Sequence, residues 1–353
     1  MFKGEKMMKK MKKLTATLLV AVMALGLAGC GGGGNDSKPA AGGNAEPEKK
    51  ADPVVVQLAT TVNEQDSFQV AAEKFKELVE ERTDGAYQIE IYPNGTLGDE
   101  RALLESMAQN TIEMGIITSG PFVNFAPEMG VLDMPFLFAS NEEAYKVLDG
   151  EVGKELLGTL EQADLKGLAY AERGFRNLTN SVRPIHDAED LAGLKLRIME
   201  NEVFQKTFDA LGANAQPMAW SDTLTALQQG TIEGEENPVN VIYSYKLWES
   251  QKYVTMTRHA YSTAIITASL DFYNKLPEDV QTIFTDAAQE AAEYERDWVA
   301  QHEEEQMQSL LENNMEVDQD PDMESFRSAV QSVYDAYPQY AEYMEKIQAT
   351  LAK

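Results

Sequence analysis

The chain has 353 residues, a formal net charge of −28, one cysteine and three histidines. This acidity disfavours nucleic acid as a partner, because the phosphates would be repelled. A single cysteine cannot form an internal disulfide or a CxxC metal site. The length is sufficient for two domains.

The N-terminal residues have the pattern of an export signal. A lysine-rich start is followed by an apolar run over residues 14–27 and by small residues before Cys30. The run is too short to be a convincing bilayer span, and no later apolar run is long enough either. The ending "LAGC" resembles the bacterial lipobox, which predicts a signal peptide over residues 1–29 and lipid on Cys30. Because residues 1–29 contain six lysines and one glutamate, their removal changes the formal charge from −28 to −33.

Residues 30–52 have no apolar periodicity and are rich in glycine, alanine and proline. This composition is typical of a flexible tether. After the tether, short apolar runs alternate with helical patterns. In the first half of the chain the predicted strands are 54–59, 87–92 and 114–119, with helical patterns around 68–79 and 99–110.

The alternation then continues. The next predicted strands are 166–172, 193–199, 214–219 and 261–270, with helices over about 202–211 and 221–229. Asn201 is able to cap the first of these helices, and Ser221 is a plausible N-cap for the second. After Pro277 the pattern is almost purely helical, with a very long helix from Glu278 to about Glu312.

This order of elements predicts an α/β protein with a mainly parallel sheet covered by helices on both faces. We expect a two-lobed, periplasmic-binding-protein-like fold in which the long helix spans both lobes and the ligand lies in the cleft between them. The predicted boundaries are residues 53–173 with about 263–302 for lobe I, and residues 174–262 with about 303–353 for lobe II.

Arginines cluster at the expected cleft. The chain has only nine arginines, yet Arg173, Arg176, Arg183 and Arg197 fall within 25 consecutive positions. Arg197 lies at the end of its predicted strand, and Arg176 follows the strand 166–172 by four residues. Ligands in open α/β sheets lie outside the carboxyl ends of strands, and the guanidinium group matches a carboxylate. The pattern indicates a carboxylate clamp, although each arginine taken singly is as well explained by an ordinary salt bridge.

Other polar residues give weaker indications. Asn237 precedes Pro238, which favours an extended backbone and leaves its amide free to donate, although a simple turn is the favoured explanation of this stretch taken alone. Trp220, just past a strand, can form the floor of a pocket or be part of the core. Glu233, Glu235 and Glu236 have no histidine nearby, and acidic runs are usually solvated, so we expect no metal. No nucleophile motif or phosphate loop is present, so we expect no catalytic residues and no cofactor.

Four long blocks in this order resemble the extracytoplasmic solute-binding proteins of TRAP transporters, the dicarboxylate-binding (DctP-type) family. The blocks are "YPNGTLGDERALLESMAQNTIEMG", "GFRNLTNSVRPI", "DLAGLKLRIMEN" and "ALGANAQPMAWSDTLTALQQGTIEGEENP". The resemblance runs from about Val54 to the C-terminus. It implies two α/β lobes that close on an organic acid, with a long helix bracing both.

The resemblance also implies roles for individual residues. Arg197 is expected to make the main salt bridge to the ligand carboxylate, with Arg176 as a second arginine, Asn237 from "ENP" and aromatic contact from Trp220. Sialic-acid-binding members of the family carry other residues at the positions of Thr118, Pro121 and Glu200. This difference argues against sialic acid as the ligand. Glu200 near the clamp would repel a second acid group but accept hydrogen bonds from hydroxyls. This favours a sugar acid, while a C4-dicarboxylate stays possible if Glu200 points away.

These patterns predict a lipid-anchored, extracytoplasmic binding protein that captures a small carboxylate and delivers it to TRAP permease subunits in the membrane, without enzymatic activity. Two alternatives remain open. A receptor that presents the acid to a sensor kinase would have the same cleft, and a secreted hydrolase or lyase would need a nucleophile or an acid–base pair there.

Overall fold

A computed structural model describes residues 52–353 of the chain. The predicted signal peptide, Cys30 and all of the tether except Asp52 lie outside the described residues, so these three features stay predictions. Within the described residues, no helix is both long and apolar enough to cross a bilayer.

The described residues form one mixed sheet of nine strands. The strands are β1 (Val54–Ala59), β2 (Tyr87–Tyr92), β3 (Met114–Thr118), β4 (Leu165–Asn180), β5 (Lys195–Ile198), β6 (Asn214–Pro217), β7 (Gly234–Asn237), β8 (Tyr253–Ser269) and β9 (Glu316–Asp318). Their order across the sheet is β2-β1-β3-β8-β4-β7-β5-β6, with β9 paired to β8.

Twelve α-helices and several short 3-10 turns surround this sheet in the described part of the chain. The helices are α1 (Ser67–Arg82), α2 (Glu100–Ala108), α3 (Asn141–Leu148), α4 (Glu151–Thr159), α5 (Glu202–Ala210), α6 (Trp220–Gln229), α7 (Val239–Ser244), α8 (Leu270–Lys275), α9 (Glu278–Glu312), α10 (Met323–Ala329), α11 (Gln331–Ala336) and α12 (Ala341–Leu351).

Apart from the short parallel pairing of β9 with β8, the sheet is parallel only in its two outer parts. β1 pairs parallel with β2 and β3, and β5 pairs parallel with β6 and β7. Between these parts, β8 is antiparallel to β3 and β4, and β4 is antiparallel to β7. Each outer part therefore has the βαβ form that the alternating pattern predicted, and the antiparallel centre corrects the expectation of a mainly parallel sheet.

The central strand β4 is much longer than the sequence indicated. Its apolar part was predicted to end at residue 172, but the strand continues to Asn180 through pairing with β8. The pairing has irregularities at three points, including the one between Glu172 and Gly174, where Gly174 has a φ of 99°. Arg176 accordingly lies inside β4 and not beyond a strand end, which corrects the predicted position.

The long helix α9 spans Glu278–Glu312, as predicted, and its 35 residues extend for roughly 52 Å. It packs against α1 and β4, and also against α7. Near its start, Phe284 meets Phe75 of α1 edge to face, with ring centroids 5.7 Å apart. Because α1 follows β1 and α7 follows β7, the helix braces both parallel parts of the sheet.

The two predicted N-caps have different outcomes. Asn201 caps α5, because its side-chain oxygen accepts hydrogen bonds from the N–H groups of Val203 and Phe204 at 2.8 and 3.1 Å. Ser221 does not cap α6, which begins one residue earlier at Trp220 and has Ala219 at its N-cap position. Asp222 remains in the first turn of α6, where its charge favours the helix dipole.

Candidate functional site

The candidate site is a small cavity at the carboxyl ends of strands from both parallel parts of the sheet. Its lining residues are Thr61, Glu100, Thr118, Arg173, Arg176, Arg197, Met199, Trp220 and Asn237. Thr118 ends β3 and Asn237 ends β7, while Thr61 and Met199 follow β1 and β5 closely. Open α/β sheets bind ligands at this edge. Five of the six predicted ligand residues, all except Glu200, meet here.

Arg197 is a buried cation that has no carboxylate partner among the described residues. Its side chain is 4% exposed, and its Nε donates to the main-chain oxygen of Met218 at 2.9 Å. The guanidinium lies over the ring of Trp220, 5.4 Å from the ring centroid. The two terminal nitrogens make no hydrogen bond to the described residues. They are therefore available to a ligand in the cavity.

Burial lowers the pKa of the Arg197 guanidinium to about 10, with Glu236 opposing this effect and the like charge of Arg176 adding to it. The group remains protonated at neutral pH, but its charge is poorly stabilised. A bound carboxylate would supply the missing opposite charge and two acceptor oxygens. The electrostatics of Arg197 therefore favour an anion at this position.

Arg176 also lines the cavity, but its charge is already matched. Its Nε and one terminal nitrogen bind the carboxylate of Glu236, and the latter nitrogen also binds the main-chain oxygen of Glu236. His259 contacts the same carboxylate at 3.2 Å. Burial acts to lower the pKa of Arg176, but Glu236 raises it overall. Only the second terminal nitrogen of Arg176 is left without a partner.

Arg173 is the third arginine of the cavity, and it is paired with Asp66. One terminal nitrogen, Nη1, binds both carboxylate oxygens of Asp66, at 2.6 and 2.8 Å. The guanidinium lies 4.2 Å from the ring centroid of Phe68. Asp66 is also the N-cap of α1, where it accepts the N–H of Phe68 at 3.1 Å. The ion pair therefore joins the central strand β4 to the start of α1.

Asn237 reaches the cavity with its amide group already engaged. Its side-chain nitrogen donates to the carboxylate of Glu235, so the amide is not fully free as the sequence indicated. Glu235 and Glu236 are completely buried, contrary to the expectation of a solvated acidic run. Burial, with repulsion from Glu236, raises the pKa of Glu235 to about 7. The buried partners Thr179 and Arg176 explain why these two carboxyl groups are held inside.

The opposite wall of the cavity carries hydrogen-bonding oxygens. Glu100, the first residue of α2, accepts the main-chain N–H of Thr118 at 2.9 Å through Oε1. Its second carboxylate oxygen makes no hydrogen bond to the described residues. The hydroxyl groups of Thr61 and Thr118 complete this wall. The lining of the cavity thus combines guanidinium groups with acceptor oxygens.

Glu200 does not line the cavity, and the structure does not bring it together with the other predicted residues. It lies in the turn between β5 and the N-cap Asn201, where its main-chain oxygen accepts a hydrogen bond from Asn124 at 3.0 Å. The position in this turn explains its absence from the wall. Glu100 is instead the acidic residue that faces Arg197.

The cavity has a volume of only about 20 Å³, which is the space of about one water molecule. An organic acid needs more room, so the walls must separate for a ligand to enter. A larger cavity of about 610 Å³ lies elsewhere, between α9 and the segment around α7. Its lining includes Lys246 but no arginine and none of the predicted ligand residues, so it lacks the planar donor pair expected of the carboxylate clamp.

Four lining residues were absent from the sequence-based set of ligand residues: Thr61, Glu100, Arg173 and Met199. Thr61 and Met199 could have been found from the rule that ligands lie at the carboxyl ends of strands, because Thr61 closely follows the predicted strand 54–59 and Met199 ends the predicted strand 193–199. Arg173 belongs to the arginine cluster, but its position was obscured by the early predicted end of β4. Glu100 gave only the signal of an acidic residue in a helix first turn, which is usually explained by the helix dipole.

Comparison with known proteins identifies the class of protein that this fold and site define. A family model described as bacterial extracellular solute-binding protein, family 7 (DctP), matches residues 58–340. The chain is 37% identical to the 2,3-diketo-L-gulonate-binding periplasmic protein YiaO of Escherichia coli, over 75% of this chain and 81% of that protein. It is 32% identical to the C4-dicarboxylate-binding periplasmic protein DctP of Rhodobacter capsulatus, over 74% and 78%.

Solved structures agree with this result. A TRAP periplasmic solute-binding protein from Polaromonas, bound to D-erythronate, superposes with a TM-score of 0.82 at 38% identity, covering 84% of this chain and 98% of that one. The chain belongs to the DctP family of extracytoplasmic TRAP solute-binding proteins. It has their two-lobed α/β fold, and it is a solute-binding protein of a transport system and not an enzyme.

Proposed function

We propose that this protein captures a small hydroxylated carboxylic acid, holding the carboxylate on Arg197, and delivers it to TRAP permease subunits in the membrane. The observation that carries the proposal is the buried guanidinium of Arg197, which has no carboxylate partner among the described residues. Closure of the cleft around the acid removes it from water, which strengthens each charged hydrogen bond.

The opposite wall favours hydroxyl groups at the other end of the ligand. The free oxygen of Glu100 can accept a hydrogen bond from a hydroxyl group of the ligand, but it repels a second carboxylate. The threonine hydroxyls of the same wall both donate and accept. Sugar acids bound by relatives, such as the D-erythronate of the Polaromonas protein, have this combination of one carboxylate and several hydroxyls. A sugar acid is therefore the proposed ligand class, ahead of a C4-dicarboxylate.

We further propose that the mature protein is attached to the membrane by lipid on Cys30, after removal of residues 1–29. The support is the sequence pattern before Cys30. Mass spectrometry of the membrane fraction would show a lipid-modified N-terminal cysteine, and the variant Cys30→Ala would be released. An unmodified Cys30 in the membrane fraction would contradict this proposal.

The test of the main proposal is a thermal-shift screen over organic acids, followed by calorimetry on the hits. Arg197→Lys retains a positive charge but loses the planar pair of donors, so we expect the affinity to fall by about tenfold or more. The matched control is Arg183→Lys, because the Arg183 guanidinium binds only the main-chain oxygens of Asp190 and Ala192. Unchanged affinity in Arg197→Lys would contradict the proposed role.

A further inference from the structure

The ion pair between Arg173 and Asp66 has an unusual geometry. An arginine commonly grips a carboxylate with two nitrogens. Here Nη1 alone holds both oxygens of Asp66, and the guanidinium is packed against the ring of Phe68. Nε and Nη2 make no hydrogen bond to the described residues, although Arg173 is 6% exposed and lines the ligand cavity. Asp66 thus cancels the charge of Arg173 while leaving two of its donor nitrogens unused.

Among the described residues, the lining charges have an oppositely charged partner in contact except at Arg197 and Glu100. The lining residues include three arginines and one glutamate, Glu100. Asp66 pairs with Arg173 and Glu236 pairs with Arg176. Arg197 is therefore the only lining arginine without a carboxylate in contact, within the described residues. A ligand with one negative charge finds a matching cation, and a second negative charge finds only arginines that are already paired, with Glu100 nearby.

We propose that Asp66 and Arg173 together determine ligand specificity: Asp66 limits the accepted ligand to one negative charge, and Arg173 donates its free nitrogens to a neutral hydroxyl or keto oxygen of that ligand. This inference rests on the proposed function, since it needs the acid to bind in this cavity. It adds a pair of residues that the arginine clamp does not include, and it explains how an arginine-rich cavity discriminates against dicarboxylates.

The test uses ligand pairs that differ only by oxidation of the terminal CH₂OH group to a carboxylate. D-Erythronate with meso-tartrate is one such pair, and gluconate with glucarate is another. The discrimination ratio is the affinity for the monoacid divided by the affinity for the diacid, measured by calorimetry. The unaltered protein should prefer the monoacid of each pair by about tenfold or more.

Asp66→Asn removes the charge that cancels Arg173, and asparagine is an equally good N-cap for α1. We expect this variant to bind the diacids more tightly and the monoacids no better, so that the discrimination ratio falls by about tenfold. The double variant Asp66→Asn with Arg173→Gln restores the charge balance without the donor pair. It should recover discrimination by charge but bind both acids about tenfold more weakly than the unaltered protein.

Arg296→Gln is the matched control, because Arg296 forms a bidentate ion pair with Asp149 and does not line the cavity. An unchanged discrimination ratio in Asp66→Asn, or an equal change of this ratio in Arg296→Gln, would overturn the specificity role while leaving the proposed function intact.

If none of the four acids, nor any acid in the wider screen, bound the unaltered protein, the proposed function itself would fail. If the single variant did not fold, a double variant that kept both the ratio and the affinity of the unaltered protein would overturn the inference.

Discussion

At the scale of single residues, the site shows how charge is placed inside an acidic protein. The arginines of the cavity are buried, and two of them are held by carboxylates: Arg173 by Asp66 at the N-cap of α1, and Arg176 by Glu236 on the neighbouring strand β7. Fixed partners of this kind prevent the guanidinium groups from collapsing onto the many other acids. Arg197 differs because its neighbours are a main-chain oxygen and an indole ring. Its unmet charge is the basis of its proposed role in binding an anion.

Other buried carboxyl groups make stability depend on pH, and Glu295 is the clearest case. It is fully buried on α9, where Oε2 accepts the main-chain N–H of Glu172 at 2.8 Å. Burial raises the pKa of Glu295 to about 8, with repulsion from Glu172 adding to it. Burial likewise raises the pKa of Glu172 to about 7, against the effects of Tyr145 and Arg296.

Because these pKa values are raised in the folded state, the folded protein binds more protons than the unfolded chain between about pH 5 and 8. Stability should therefore fall as the pH rises through this range, so we expect a higher melting temperature at about pH 5.5 than at about pH 8.5. Glu295→Gln should flatten the profile, whereas the change Glu304→Gln, at an exposed position, should not. A melting temperature that rises steadily with pH would contradict this assignment.

At the scale of elements, Asn201 links two parts of the sheet. Its side-chain oxygen caps α5, and its nitrogen donates to the main-chain oxygen of Gly120 at 2.9 Å and to Asp133 at 2.7 Å. Gly120 follows β3, and Asn201 follows β5. The same side chain therefore fixes a helix start and holds two strand ends on neighbouring sides of the cavity.

We expect Asn201→Ala to lower the free energy of unfolding by about 2 kcal/mol or more, because the cap and the two donated hydrogen bonds are lost together. Asn201→Ser retains a cap oxygen but not the amide donors. The free energy of unfolding should fall less in Asn201→Ser than in Asn201→Ala. The difference between the two variants isolates the contribution of the cap. Urea denaturation measures both values. A loss of only a few tenths of a kcal/mol in the alanine variant would show that α5 does not need this residue.

At the scale of the whole molecule, the small cavity indicates that the described conformation is nearly closed. A volume of about 20 Å³ is far below the roughly 300 Å³ of the smallest typical ligand pockets. Entry of a sugar acid requires the two parts of the sheet to move apart around the central strands. We therefore expect the ligand-free protein to be more open than the conformation described here.

Small-angle X-ray scattering should show this change. We expect the radius of gyration to be larger without ligand and to fall when a binding acid is added, because closure is stabilised by the bridging contacts. Arg197→Lys should need a higher ligand concentration for the same decrease. Identical scattering curves with and without a saturating ligand would contradict ligand-driven closure.

Local sequence patterns were sufficient to predict most of the helices and strands, but they did not predict the centre of the sheet. The strands β1 and β2 and the long helix α9 match their predicted bounds, because alternation and helical periodicity act over a few residues. The predicted extent of β4 was wrong, because residues 173–180 become a strand only by pairing with β8, which is far away in the sequence. The burial of Glu235 and Glu236 was missed for the same reason, because the partners that satisfy them are distant or on another strand.

The central strands also have a consequence for how the chain folds. β4 pairs with β8 along most of its length, and the segment between them contains β5, β6 and β7. The pairing of β4 with β8 therefore cannot be completed until residue 269 is available, and pairings between such distant segments form slowly. A slow final pairing leaves the newly made chain unfolded for longer. For a protein that works outside the cytoplasm, this delay favours passage through the membrane before folding.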